Sequence, residues 1–205
     1  MRHFSFRPSI TLRGRTFKGL RGWAGKPLHP PLTDVPVGAY MLAATFDVIS
    51  FVGQDESWAR DFFRAATFTL VGGAAVSLLA ALTGFWDWLR STEAGTQARR
   101  TANAHAVTMV TVTALVLADI GVRVFVHPGD TYTPVTPLVL SIAAALLTVL
   151  GGTLGGTLAF DYGFNVETAG DSPVWHPSER DVFPADKHTT ATTVAGASQG
   201  PDTAA

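Results

Sequence analysis

Four long apolar stretches divide the chain, and each is interrupted by no more than two charges. They run from about Val35 to Val52, Phe62 to Phe85, Ala104 to Val126 and Pro137 to Phe160. A helix rising about 1.5 Å per residue needs roughly 20 mostly apolar residues to cross about 30 Å of hydrocarbon, so each stretch predicts one span. The expected fold is all-α: a four-helix transmembrane bundle over residues 31–167, a basic arm before it (1–30) and a polar tail after it (168–205). The tail from Thr189 to Ala205 is Thr, Ala, Ser and Gly with nothing large to bury, which predicts disorder. The first span follows a long basic stretch and has no small-residue cleavage site close behind it, so no removable signal peptide is expected.

Composition agrees with a lipid environment. Only 15% of the 205 residues are charged, against about a quarter in soluble domains. The formal net charge of -1 hides an asymmetry: residues 1–30 hold seven Lys/Arg and no acid, whereas residues 161–205 hold seven acids against Arg180 and Lys187. Lys/Arg concentrate on the cytoplasmic side of membrane proteins. The N-terminus together with Arg90, Arg99 and Arg100 gives ten basic residues on one side, against Arg60, Arg64 and Arg123 on the other. Both termini are therefore expected in the cytoplasm. Trp86 and Trp88 then end the second span at the depth of an interfacial aromatic belt. Phe4, Phe6, Phe17 and Trp23 among the arginines of the arm (Arg2 to Lys26) suit anionic headgroups, and a topology-setting arm explains them equally well.

Polar residues inside the spans carry what chemistry there is. Their order repeats: His29, Asp47 and Trp86-Asp87-Trp88 in the first half answer to His105, Asp119 and Phe160-Asp161-Tyr162 in the second, at offsets of 76, 72 and 74. This predicts a tandem repeat of two helical hairpins in one orientation, with His29 facing His105 near the cytoplasmic side and Asp47 and Asp119 forming a second layer farther out. Arg123, one turn beyond Asp119, is a ready ion-pair partner. Two histidines across a bundle axis suit six-coordinate b-type haem, with Lys26, Arg99 and Arg100 placed to meet its propionates. A divalent metal on His29, His105, Asp87 and Asp161 is the competing ligand set. Asp34 reads as a helix N-cap ahead of Val35 and Pro36, and the prolines of His29-Pro30-Pro31 predict an extended entry to the first span. Gly151, Gly152, Gly155 and Gly156, and likewise Gly73, Ser77 and Ala81, form small-residue stripes suited to close helix packing or a homodimer. His127, His176 and His188 fall in a loop or the tail. With no cysteine, disulfides, thiolate nucleophiles and cysteine-bound iron-sulfur clusters are excluded. No phosphate loop, nucleophile elbow or nucleic-acid motif appears, so no independent catalytic activity is expected.

Gly25-Lys26-Pro27-Leu28-His29-Pro30, Pro36-Val37-Gly38 with Asp47, Gly84-Phe85-Trp86-Asp87-Trp88, His105, Gly155-Gly156 and Tyr162-Gly163-Phe164-Asn165-Val166 together resemble a bacterial family of integral membrane proteins known only as a domain of unknown function. The resemblance spans about residues 20 to 167 and implies a multi-pass protein of the bacterial inner membrane. Members often stand beside, or are joined to, Rieske-type iron-sulfur domains, which implies a redox partner. Three functions are thus open: a redox-linked subunit holding b-type haem between His29 and His105; a metal-binding or proton-coupled transport-like protein using Asp47, Asp87 and Asp119; and a passive membrane anchor or partner scaffold.

Overall fold

The apolar stretches fold as four helices in the computed structural model, which describes Leu20 and residues 27–166. These are α1 (His29–Gly53), α2 (Ala59–Ser91), α3 (Gln97–Phe125) and α4 (Val135–Phe160). With 25 to 33 residues each, all exceed the length that a bilayer crossing requires. The expectations for the tail and for most of the basic arm lie outside the described residues.

The start of α1 departs from expectation. Helix begins at His29 itself, with the prolines at its first positions and no side-chain cap on Leu28. The first-turn N–H groups of a helix have no internal partner, so a proline there removes nothing and its fixed φ suits the helix. The extended entry is therefore replaced by helix, and Asp34 becomes an exposed residue within α1 rather than its N-cap. Pro36 lies inside α1 and is buried, an arrangement that membrane helices tolerate where neighbouring groups meet the freed carbonyl. α3 does have a side-chain cap: Thr96 Oγ1 accepts the Arg99 N–H at 3.1 Å.

α1 packs along α2 and α3 along α4, while α1 also touches α4 and α2 touches α3. Consequently α1 and α3 occupy one diagonal of the bundle, and α2 and α4 the other. The end holding the start of α1, the α2–α3 connection and the end of α4 is called proximal below; the end holding the α1–α2 and α3–α4 connections is distal.

The distribution of polarity is the reverse of a soluble bundle. Phe68, Leu82, Val107, Val110 and Leu146 point outward, whereas Asp47, Asp87, Asp119 and Arg123 are buried. The core between the polar levels is built of Tyr40, Ala43, Ala66, Leu70, Ala74, Val112, Val116 and Ala144. All four helices are apolar and long enough to span a membrane, and outward apolar faces are what lipid contact requires.

Small residues set the helix spacing, though not every one predicted. Gly73 lies against α1, where an added Cβ would come 2.7 Å from Ala39 Cβ and 3.0 Å from Tyr40 Cε1. The stripe continues through buried Ser77 and Ala80 rather than through Ala81, which is exposed. On α4 Gly151 abuts Met109 and Gly155 abuts His105, while Gly152 faces open space. Gly73→Ala should therefore lower thermal stability in detergent by about 1–3 kcal/mol through overpacking, while Gly72→Ala, with nothing within 4 Å of the new methyl, should leave it unchanged or slightly raised.

Candidate functional site

Two levels of polar side chains bridge the α1–α3 diagonal. At the proximal level the imidazoles of His29 and His105 meet with ring centroids 6.5 Å apart and planes at 83°. Each is fixed by the other diagonal. His29 Nδ1 donates to the Ala80 carbonyl of α2 at 2.8 Å, and His105 Nδ1 donates to the Gly151 carbonyl of α4 at 2.9 Å. A carbonyl can only accept, so in the neutral ring Nδ1 carries the hydrogen and Nε2 keeps its lone pair. One turn beyond each carbonyl stands a glycine. A Cβ at Gly84 would lie 2.6 Å from His29 Cε1, and one at Gly155 would lie 3.3 Å from His105 Cε1. The two hairpins thus cradle their histidines in the same way.

At the proximal end Asp87 holds the backbone of Leu20. Asp87, 3% exposed, accepts the Leu20 N–H at 3.0 Å, and the Leu20 carbonyl accepts the Leu28 N–H at 3.0 Å. Asp161 takes no part: it caps α4 and is exposed. Among the described residues no three His, Asp or Glu side chains gather closely enough to hold a metal ion, so His29, His105, Asp87 and Asp161 are not brought together as a four-ligand set. Arg99 lies over the Trp88 ring at 3.6 Å and donates to the Trp88 carbonyl, and Arg100 donates to Gln97 and to the Gly95 carbonyl. Both arginines therefore fasten the α2–α3 connection. Lys26, His176 and His188 lie outside the described residues, and His127 pairs with Asp130 in the α3–α4 connection at 2.8 Å.

The distal level is an ion cluster. Arg123 of α3 donates through Nε to Asp119 Oδ1 at 2.8 Å, through Nη2 to Asp119 Oδ2 at 3.1 Å, and through Nη2 again to Asp47 Oδ2 of α1 at 2.5 Å. Asp47, Asp119 and Arg123 are 0%, 1% and 2% exposed. The Arg123–Asp119 pair was legible from the four-residue spacing, and the structure adds Asp47 to it. Thr67 of α2 meets Arg123 Nη1 at 3.4 Å, and the guanidinium lies 5.2 Å from the Phe63 ring centroid. From the α3–α4 connection, Thr133 Oγ1 bonds Asp47 Oδ1 at 3.0 Å and the Thr133 N–H donates to Ser50 Oγ at 2.9 Å. Ser50 in turn donates to the Ala59 carbonyl at 2.7 Å, tying in the start of α2.

Sequence reading missed Thr133, Ser50 and Thr67, which are ordinary hydroxyl residues without a motif. It also matched Asp47 with Asp119 at an offset of 72, whereas the residue that meets Asp47 across the diagonal is Arg123 at an offset of 76, the same as His29 to His105. That shared offset was the available signal.

Removing one partner of a buried ion pair leaves an uncompensated charge and costs about 3–5 kcal/mol, while replacing the whole set by neutral groups is often tolerated. Arg123→Leu should accordingly destabilise the purified protein by about that amount, and combining it with Asp47→Asn and Asp119→Leu should restore most of the loss in a thermal melt.

Residues 25–168 match the model of a family described as "Predicted membrane protein (DUF2231)". No curated protein and no solved structure matches the chain.

Proposed function

The chain belongs to the predicted membrane proteins of family DUF2231, and within that frame we propose that it is a redox-linked membrane subunit holding b-type haem between His29 and His105. The observation that carries this reading is the opposed imidazole pair, each ring having its Nδ1 bonded to a backbone carbonyl. Metal-ligating histidines characteristically donate their second ring N–H in this way, which fixes the tautomer and aims the lone pair.

The spacing of the rings suits the role. With a metal–imidazole bond of about 2 Å and a ring nitrogen roughly 1.1 Å from its centroid, two imidazoles that both met one ion would have centroids no more than about 6.3 Å apart. The value here, 6.5 Å, lies close to that limit. Gly84 and Gly155 leave each imidazole the room that a side chain would take, so both rings reach the bundle axis.

Haem held by both His29 and His105 would supply one-electron transfer and would have no open position for oxygen activation. The task of this chain is then to hold the group rigidly and keep it from water. His29 and His105 do the first through their carbonyl bonds; Asp87, by fastening the Leu20 backbone, contributes to the second. Electron transfer implies a partner, and a Rieske-type protein is the proposed class. The bundle is proposed to lie in the bacterial inner membrane with its proximal end, and both termini, in the cytoplasm.

Two measurements check these statements. Purified protein produced with adequate haem supply should show reduced b-type absorption bands that disappear in both His29→Ala and His105→Ala. A colourless protein removes the cofactor and leaves the scaffold reading, whereas bands that survive both substitutions remove His29 and His105 as its ligands. Orientation is accessible because the chain has no cysteine: Glu56→Cys at the distal end should be labelled by an impermeant thiol reagent added outside intact spheroplasts, and Glu93→Cys at the proximal end only after permeabilisation. The reverse pattern would invert the topology.

A further inference from the structure

The distal cluster contains two carboxylates and one guanidinium, all within direct hydrogen-bonding reach and all at least 98% buried. Fully ionised, it would hold one uncompensated negative charge in the low-dielectric interior of the bundle. Such a charge is expensive inside a membrane protein, and intramembrane acids that persist are commonly proton-binding groups. No further charged side chain on α2, α4 or either distal connection bonds to the cluster among the described residues; the other contacts are the hydroxyls of Thr67 and Thr133 and the Phe63 ring.

The hydrogen-bond roles decide where a neutralising proton can sit. A protonated carboxyl oxygen must donate, so its partner must accept. Asp119 Oδ1 and Oδ2 both face Arg123 nitrogens, and Asp47 Oδ2 faces Arg123 Nη2. A guanidinium has five donors and no acceptor. Asp47 Oδ1 alone among the four carboxyl oxygens is bonded to a group of either polarity, the Thr133 hydroxyl at 3.0 Å.

We infer that the distal cluster is a proton-binding site, with one exchangeable proton held on Asp47 Oδ1 and shared with Thr133 Oγ1. Asp119 and Arg123 then form a compensated ion pair, and Asp47 completes the cluster as a neutral acid that accepts from Arg123 through its other oxygen. Thr133 is itself fully buried, but it belongs to the α3–α4 connection, whose Thr131 and Tyr132 are exposed, and the proton's route to water runs through that connection. This inference is independent of the haem reading, since it uses no residue of the histidine pair. It assigns the acidic residues a role in taking up and releasing a proton at the distal face.

The assignment makes the two aspartates unequal in a way that a purely structural cluster would not. Asparagine at 47 reproduces a protonated Asp47, with its carbonyl accepting from Arg123 and its amide donating to Thr133. Asparagine at 119 turns an amide donor toward a guanidinium that also only donates. Infrared difference spectroscopy of the full-length protein in lipid should therefore show a protonated-carboxyl band that shifts in heavy water. The band should vanish in Asp47→Asn and persist in Asp119→Glu. In parallel, Asp47→Asn should keep wild-type thermal stability, while Asp119→Asn should shift the unfolding equilibrium at least tenfold toward unfolding. Absence of the band in wild type at neutral pH, its survival in Asp47→Asn, or equal destabilisation by the two asparagine variants would overturn the inference.

Discussion

Burial of Arg123 between Asp119 and Asp47 is the constraint on which the arrangement of the bundle depends. A guanidinium and two carboxyl groups withdrawn from water must satisfy one another almost completely, and here they do so with Thr67 and Thr133 occupying the remaining positions. The side chains reach across the diagonal, so the cluster joins the two helices that do not pack directly. It also gathers the α3–α4 connection and the start of α2: Thr133 bonds both Asp47 and Ser50, and Ser50 bonds Ala59. Three helices, α1, α2 and α3, and the α3–α4 connection are therefore tied to one charged group.

That tie has a consequence at the opposite end. His29 precedes Asp47 by 18 residues, and His105 precedes Arg123 by 18. At 3.6 residues per turn this is five turns, or about 27 Å, so each histidine lies on the same helix face as its distal counterpart. Once Asp47 and Arg123 fix the rotation of α1 and α3, the imidazoles can only face inward and toward each other. The carbonyls of Ala80 and Gly151 then set their final orientation, and Gly84 and Gly155 give them room. The costly cluster at one level thus preorganises the paired rings at the other.

Much of this was legible in the sequence because the bilayer imposes coarse rules. Four apolar stretches had to be four spans, and acids within them had to be buried and partnered. Arg123 could be paired with Asp119 because four residues on a helix make neighbours. Its second partner was missed because tertiary register, not local spacing, brings Asp47 to it. The helix start at His29 was missed for a different reason: two prolines forbid helix in its interior but not in its first turn. Asp161 looked equivalent to Asp87 from its flanking aromatics, yet it stands at the C-cap of α4 and is exposed, where no neighbour can recruit it. Thr133 carried no signal at all, since a hydroxyl in a connection becomes informative only when something charged lies beneath it.

The two levels also divide the chemistry. In the proposed reading the distal level, with its charged and hydroxyl groups, would exchange a proton, and the proximal level, with two ring nitrogens in a fixed tautomer, would serve a group that exchanges an electron. The central proposal is that His29 and His105, whose ring planes stand at 83° to each other, would together hold the haem. Electron paramagnetic resonance of the oxidised protein tests this most directly. The account predicts a strongly anisotropic low-spin ferric signal of the kind that crossed imidazole planes produce, lost when either histidine is replaced by alanine. A protein with no low-spin ferric signal, or one whose signal is unchanged in the His29→Ala and His105→Ala variants, would contradict it.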